Sequence, residues 1–324
     1  MTVSIPTASP PHLSYSQLGS YAECPRKWYL SRRERVPQNT WFATLAGKAI
    51  HSATEEADAL EWSGLGLDLA STKTRFAELF DEQLAEAKVK GEEVRPSGRE
   101  TKSLGWSGGP KKKDEAWWRQ FGPLMIEQWF DWRSKNGLKL HEIDGGPAIE
   151  VPLDFELIDS NGEALRIKAY IDRVYKSRIG GILTVFDLKT GAVPSTGVQV
   201  ETYGVGLHAQ YGHKARYGAF WQPGAPKDDE AGYRVYGPTK LHHNVDILAD
   251  IYHSARKGIE AGAFPPNTRN NCMSCGVNKF CTAWNGEQAI KELDKWREAN
   301  VQHDSDSDAE ASLPHDGKDT EHDD

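Results

Sequence analysis

The chain of 324 residues has no long apolar segment. No run approaches the roughly 18 consecutive apolar residues that a membrane-spanning helix needs, and the mean hydropathy is −0.64. The first residues, MTVSIPTASPPHLS, contain neither the basic start nor the apolar centre of a signal peptide. These absences exclude an integral membrane protein, and we expect a globular protein of the cytoplasm with no membrane association.

An excess of one charge is also absent from most of the chain. The net charge of −8 resides in the last 24 residues, where nine acids accompany one lysine. Residues 1–300 carry 38 basic and 38 acidic side chains. The tail that begins at about residue 300 has very few apolar residues and is predicted to be disordered. A nucleic-acid interface would therefore have to be a local basic patch.

Cysteines are few, and their spacing is informative. Three of the four form a C-x2-C-x5-C run, Cys272, Cys275 and Cys281, and Cys24 lies 248 positions earlier. In an intracellular protein this spacing favours a metal site over disulfides. Four thiolates suit a structural zinc ion or an iron–sulfur cluster, and spacing alone does not choose between them. Ligands from both ends of the chain predict a single domain, residues 1–299.

The apolar periodicity predicts helices first and strands later. Helices are expected from Ser14, where a capping box begins, and over about 44–61, 69–88, 197–213, 243–261 and 286–298. Strands are expected over about 147–157, 165–175, 182–188, 216–221 and 232–237. A connector, 89–113, precedes an aromatic helix and belongs to a helical insert of about 62–146. This order predicts an α/β or α+β core with a helical N-terminal portion.

The run from Ile182 to Phe186 ends in Asp187, Leu188 and Lys189. Strand alternation places Asp187 and Lys189 on one face and turns Leu188 into the core. An acid and an amine side by side at a strand end can bind a metal ion and orient a water. The pattern is weak alone, because such pairs also occur on solvated strands.

Several motifs occur in one order along the chain. They are the Leu13–Leu18 segment leading to Cys24-Pro25-Arg26-Lys27-Trp28-Tyr29, then Gly47-x3-His51, Tyr170-Ile171-Asp172-Arg173-Val174, Asp187-Leu188-Lys189, Gln199-x3-Tyr203 and the three late cysteines. This ordered set, over about residues 13–283, resembles the RecB-like, CRISPR-associated exonucleases of the PD-(D/E)XK superfamily, in their phage or stand-alone form. The long insert at 89–146 and the acidic tail depart from the family pattern.

The resemblance implies a restriction-endonuclease-like core sheet flanked by helices, and a role for each motif residue. His51, Asp172, Asp187 and the backbone carbonyl of Leu188 would bind Mn²⁺ or Mg²⁺. Lys189 would orient or deprotonate the attacking water, while Gln199 and Tyr203 would position DNA phosphate or the lysine. Glu150 is a further candidate ligand, and Glu55 is expected to be a supporting or surface residue. The resemblance also favours a structural 4Fe–4S cluster on the four cysteines over zinc.

Two basic stretches are candidate DNA contacts. Lys111, Lys112 and Lys113 precede Trp117 and Trp118, and charge beside stacking surface is typical of single-strand binding. A solvated loop before a core helix is the alternative. Arg26 and Lys27, beside Cys24, form the second candidate patch.

The expected function is a metal-dependent DNA exonuclease, acting 5′→3′ on single-stranded ends in a bacterial or phage-infected cytoplasm. The polarity rests on the resemblance alone. One alternative is a DNA-binding or assembly subunit working with recombination or CRISPR adaptation proteins. Another is a zinc-stabilised structural protein. Nothing in the sequence indicates the oligomeric state.

Overall fold

A seven-stranded sheet forms the centre of the computed structural model. The structure describes residues 12–66, 68–96, 113–178, 180–191, 193–224, 233–269, 272 and 275–300. The strands are β1 (Leu13–Ser14), β2 (Thr40–Trp41), β3 (Val94–Arg95), β4 (Lys139–Leu140), β5 (Glu142–Ile143), β6 (Gly146–Pro147), β7 (Ile149–Ile158), β8 (Ala164–Lys176), β9 (Leu183–Leu188), β10 (Tyr217–Pro223) and β11 (Tyr233–Lys240). The helices are α1 (Tyr15–Glu23), α2 (Pro25–Trp28), α3 (Phe42–Trp62), α4 (Leu69–Val89), α5 (Glu115–Asn136), α6 (Val198–Tyr211), α7 (Val245–Glu260) and α8 (Thr282–Asn300).

The long strand β8 organises the sheet. On one side β8 pairs antiparallel with β7 and β4. On its other side β8 pairs antiparallel with β9 and parallel with β1. Strand β10 runs parallel to β9, and β11 returns antiparallel to β10. The sheet is therefore mixed, and the α/β class predicted from the sequence is confirmed. Strands β2 with β3, and β5 with β6, form two separate small pairs.

Helices cover both faces of the sheet, because two separate apolar clusters form on it. One cluster combines alternate residues of β7 and β8 with apolar residues of α1, α6 and α7. The other is mainly aromatic and packs α3, α4 and α5 against β8, β9 and β10. In that second cluster Trp132 of α5 contacts the rings of Tyr175, Phe186 and Trp221. The site described below lies where α3 reaches the sheet.

Most predicted elements lie within a few residues of their observed bounds. Ser14 caps α1 as expected, since its Oγ accepts from the backbone N–H of Gln17 at 3.2 Å. The pairing of β3 with β2 was missed, because two extended residues inside a polar connector give no periodic signal. Residues 97–112 and 301–324 lie outside the described residues. No described helix is long and apolar enough to cross a membrane.

Candidate active site

Helix α3 brings His51 to the end of β9. The Nε2 atom of His51 lies 2.7 Å from the carbonyl oxygen of Leu188, and Nδ1 lies 3.5 Å from Oδ2 of Asp172. The helix can approach this closely because residue 47, one turn earlier, is a glycine. A Cβ atom on Gly47 would lie 2.5 Å from Oγ1 of Thr190. Gly47 therefore sets the distance between the helix and the strand end.

Asp172 lies on β8 beside the end of β9. Its Oδ2 accepts a 2.7 Å hydrogen bond from the backbone N–H of Leu188, which fixes the carboxylate against the neighbouring strand. An ion pair between Asp172 and Arg173, the alternative open from the sequence, is not formed by their side chains. Arg173 instead donates to Asp58 at 2.6 Å and to the backbone carbonyl of Asp172 at 2.7 Å. Asp172 is consequently free to face His51.

Asp187 is buried; its Oδ1 accepts hydrogen bonds from protein groups, whereas Oδ2 accepts none and lies within ion-pair distance of Lys189. Lys189 Nζ lies 2.6 Å from Oδ2, so the two residues meet on one face as predicted. Oδ1 accepts from the amide of Gln199 at 2.6 Å and from the hydroxyl of Tyr203 at 3.1 Å. Leu188, between them, is buried in the aromatic cluster.

Gln199 and Tyr203, expected to position DNA phosphate or the lysine, contact Asp187 in the structure. Both side chains are buried, and the Gln199 amide also donates to the Tyr203 hydroxyl at 2.7 Å. Their spacing of one helical turn was read correctly, but the sequence did not show that this face of α6 packs against β9. In the structure the two residues position Asp187.

Glu150 completes the group from the other side of β8. Its position on β7 falls between the pairs Ile149 with Arg173 and Val151 with Ile171, which places it opposite Asp172. Ligand atoms of His51, Glu150 and Asp172 all lie within 4.8 Å of one another. Glu150 also has a φ of 45°, an unfavourable conformation for a residue with a side chain. Such strain is typical of functional sites.

Two carboxyl groups of the site have raised pKa values. The pKa of Glu150 rises to about 9, first because its carboxyl is largely surrounded by protein and then because Glu55 and Asp172 are negatively charged. The pKa of Asp187 rises to about 6 because of burial and the charge of Asp172, against the opposing effect of Lys189. Carboxylates crowded in this way are stabilised by a cation. The one imidazole and two carboxylates whose ligand atoms lie close together therefore suit a divalent ion.

A buried ion network behind the site was not found from the sequence. Asp58 is inaccessible to solvent and accepts from Arg173, from Tyr175 at 3.1 Å and from Arg133 at 3.3 Å. Asp58 lies three residues after Glu55 and seven after His51, so all three share one face of α3. This spacing is the sequence signal that could have indicated a role for Asp58. The network fastens α3 to β8 and α5.

The cysteines bring together the two ends of the chain without forming a close metal group. All four are half-buried free thiols. The Cys24 sulfur lies 3.4 Å from the backbone nitrogen of Asn267. The pKa of the Cys275 thiol is raised, mainly by burial and to a smaller extent by the neighbouring thiols of Cys24 and Cys281. A zinc ion with Zn–S bonds of 2.3 Å would hold sulfurs about 3.8 Å apart. Among the described residues, no three cysteine sulfurs lie within 4.8 Å of one another.

The candidate DNA contacts have different outcomes. Lys111 and Lys112 lie outside the described residues. Trp117 and Trp118 are buried in the core, so the prediction that they offer a stacking surface is wrong, and Lys113 Nζ lies 4.6 Å from the ring centre of Trp117. The sequence could not distinguish these rings from exposed ones. Lys27 pairs with Glu23 at 2.7 Å. The Arg26 guanidinium lies 5.7 Å from the ring centre of Tyr29.

The chain resembles known proteins in sequence over most of its length. Residues 12–282 match the family described as the PD-(D/E)XK nuclease superfamily. The chain is similar to the Gene 69 protein of Mycobacterium phage D29, with 27% identity over 278 residues that cover 84% of this chain and 96% of the phage protein. A solved structure described as "Crystal structure of SSO0001" shares 13% identity over 50% of this chain and 68% of its own. Its TM-score is 0.30.

Proposed function

Because the chain belongs to the PD-(D/E)XK nuclease superfamily, whose members are metal-dependent nucleases, we propose that it is a DNA exonuclease. We place its activity on single-stranded ends with 5′→3′ polarity, as the resemblance to RecB-like exonucleases implies. The observation that carries the proposal is the meeting of the His51, Glu150 and Asp172 group with the Asp187–Lys189 pair. They come together where α3 meets neighbouring strands.

His51, Asp172, Asp187 and the Leu188 carbonyl would hold Mn²⁺ or Mg²⁺, with Glu150 as a further ligand. A bound divalent cation supplies charge neutralisation at the scissile phosphate and lowers the pKa of a coordinated water. The imidazole favours Mn²⁺ over Mg²⁺, since Mg²⁺ prefers oxygen ligands alone. The raised pKa values of Glu150 and Asp187 fit this assignment, because a cation favours the charged form of each carboxyl.

Lys189 is the proposed positioning group for the attacking water. Its ammonium is only partly exposed and is held at 2.6 Å from Asp187. From this position it can donate hydrogen bonds to a water or a phosphate oxygen at the strand end. Gln199 and Tyr203 support the same step indirectly, since their hydrogen bonds fix the Asp187 carboxylate.

We further propose that the four cysteines carry a 4Fe–4S cluster. A cluster of four irons holds its thiolates farther apart than a zinc ion does, so it does not require three described cysteine sulfurs within 4.8 Å of one another. The cysteines lie where the ends of the chain meet: Arg26 N–H donates to the Pro265 carbonyl at 3.3 Å, and Asn39 N–H donates to the Gly276 carbonyl at 3.0 Å. The cluster would stabilise this junction within one nuclease domain.

The experiment that tests the function is an end-labelled cleavage assay on protein purified without oxygen. Single- and double-stranded DNA, labelled at either the 5′ or the 3′ end, is incubated with Mn²⁺ or Mg²⁺. We expect early release of the 5′ label from single strands, faster with Mn²⁺. Iron per chain is measured on the same sample, and Cys275→Ser should lose iron and thermal stability together.

Matched lysine variants connect the activity to the site. Lys189→Met should lower the cleavage rate by about 10²-fold or more, the range of a positioned proton-transfer group. Lys168→Met, which removes a partly exposed lysine of β8, should cleave like the wild type. Tight DNA binding without cleavage by the wild type would instead favour an assembly subunit for recombination or CRISPR adaptation.

A further inference from the structure

A second group of metal-ligand side chains lies at the other end of β8. It consists of Asp159 and Glu163 in the turn between β7 and β8, together with His253 of α7. Asp172 is eight residues farther along β8 than Ala164, roughly 26 Å at the rise of a strand. The second group is therefore separate from the candidate active site.

His253 is a buried side chain with one nitrogen unused. The residue is 2% exposed, and its Nε2 lies 3.2 Å from the Leu157 carbonyl oxygen. Donation to that carbonyl fixes the proton on Nε2 and leaves the Nδ1 lone pair free. Nδ1 is buried and has no hydrogen-bond partner in the described part of the chain. A buried nitrogen without a partner is costly unless a ligand satisfies it.

The neighbouring carboxylate of Asp159 forms no hydrogen bond with Nδ1. Oδ2 of Asp159 lies 3.9 Å from Nδ1, beyond the usual 3.2 Å limit for an N–H···O bond. Bonds of 2.0 to 2.2 Å place two ligands of a tetrahedral cation about 3.3 to 3.6 Å apart, so a shift of a few tenths of an ångström would bring Nδ1 and Oδ2 to one ion. A carbonyl that orients the histidine from behind is also typical of metal sites.

The turn presents Asp159 in a fixed orientation. Its Oδ1 accepts from the backbone N–H groups of Asn161 and Glu163, both at 2.9 Å. Oδ2 is left facing His253, with a weaker 3.3 Å contact from the Asn161 amide. The Glu163 side chain is exposed and so can close onto an ion at little cost. The three ligand atoms already lie within 4.8 Å of one another.

We propose that Asp159, Glu163 and His253 form a second divalent-cation site that fastens the β7–β8 turn to α7. One imidazole and two carboxylates suit a first-row ion such as Mn²⁺ or Zn²⁺ better than Ca²⁺, which prefers oxygen ligands alone. Lys257, one turn after His253, lies 3.6 Å from Asp159 Oδ2 with a half-exposed side chain. Its ammonium competes with the cation and can swing into solvent when the ion binds.

The test measures bound Mn²⁺ per chain by electron paramagnetic resonance, and the melting temperature with Mn²⁺, Zn²⁺ or Ca²⁺. The whole chain is used, carrying Asp172→Asn to weaken the first site. Asp159→Asn removes the charge but keeps an oxygen that can accept the backbone hydrogen bonds of the turn. Glu163→Gln removes the charge of an exposed side chain. Each should weaken Mn²⁺ binding at the second site at least about tenfold, because even outer-shell partners contribute 10- to 100-fold.

Two further variants give opposite expectations. Glu156→Gln removes an equivalent exposed charge from β7 and should bind Mn²⁺ like the parent. Lys257→Gln should bind Mn²⁺ more tightly, since the competing ammonium is gone. The site also predicts that Mn²⁺ or Zn²⁺ raises the melting temperature of the parent more than that of the Asp159 and Glu163 variants, and that Ca²⁺ does so weakly.

Equal Mn²⁺ binding and equal metal-dependent melting in the parent, Asp159→Asn and Glu163→Gln would overturn the proposal. A loss of binding in Glu156→Gln matching that in Glu163→Gln would do so as well, because it would indicate nonspecific attraction to acidic groups. Neither readout depends on DNA cleavage, so the result is independent of the proposed nuclease function.

Discussion

The buried carboxylate of Asp58 offers the sharpest test of how α3 is held on the sheet. Asp58→Asn keeps the shape of the side chain but removes the only charge that lies between the guanidinium groups of Arg133 and Arg173 in the described core. Both arginine side chains are almost inaccessible to solvent, at 2% and 7% exposure. After the substitution Arg133 keeps its ion pair with Glu61, whereas Arg173 keeps only a 3.6 Å pair with Glu55, so Arg173 loses most of its compensating charge.

The expected cost follows from this geometry. Breaking a buried ion pair by removing one partner typically costs 3–5 kcal/mol, because the remaining charge stays buried without compensation. Because Glu61 and Glu55 still balance part of the charge, we expect the free energy of unfolding to fall by about 3 kcal/mol, the lower end of this range. The matched control is Asp131→Asn, which removes a partly exposed carboxylate paired with Lys135 at 2.8 Å. Exposed pairs of this kind contribute about 0.3–0.5 kcal/mol.

Urea unfolding followed by tryptophan fluorescence measures both variants. Trp129 reports on the network directly, since its ring centre lies 5.7 Å from the Arg133 guanidinium. The double variant Asp58→Asn/Arg133→Met should lose less stability than the sum of the two single losses, because it removes one of the two buried cations. A loss below 1 kcal/mol for Asp58→Asn, or full additivity in the double variant, would refute the reasoning.

Three other substitutions test separate contacts. Gly47→Ala should lower DNA cleavage more than stability, because the added methyl group displaces the Thr190 hydroxyl beside the end of β9; paired activity and melting measurements check this. Tyr203→Phe removes one hydrogen bond from Asp187 and should slow cleavage several-fold with substrate affinity unchanged, measured as kcat against KM. Glu34→Gln weakens the bonds that fasten α8 to the N-terminal portion and should cost about 1–2 kcal/mol, with faster amide exchange in α8. Unchanged cleavage by Gly47→Ala, an unchanged kcat in Tyr203→Phe or unchanged amide exchange in Glu34→Gln would contradict the corresponding expectation.

The sequence predicted the elements well where apolar periodicity was strong. Helix α3 was expected over 44–61 and spans Phe42–Trp62, and β9 was expected over 182–188 and spans Leu183–Leu188. Local pattern also placed Asp187 and Lys189 on one face, since that depends on strand alternation alone. These features need no knowledge of which elements become neighbours.

The errors concern contacts between distant elements. Trp117 and Trp118 follow a run of lysines, and nothing local distinguishes core rings from stacking rings; their burial results from packing of α5 on the sheet. Glu150 was only a minor candidate, because its place opposite Asp172 depends on the register of β7 with β8. Asp58 resembles an ordinary helix acid until β8 and α5 bring arginines to it.

The proposed nuclease activity depends on Asp172, Asp187 and Lys189 at the end of β9, acting with a divalent cation. The most direct measurement is the single-turnover cleavage rate at saturating Mn²⁺ for the wild type and for Asp187→Asn, with DNA binding measured on the same samples. We expect the variant to bind DNA as the wild type does and to cleave it at least about 10³-fold more slowly, since the proposed metal ligand and the partner of Lys189 are lost together. Cleavage within threefold of the wild-type rate would contradict the assignment of this site.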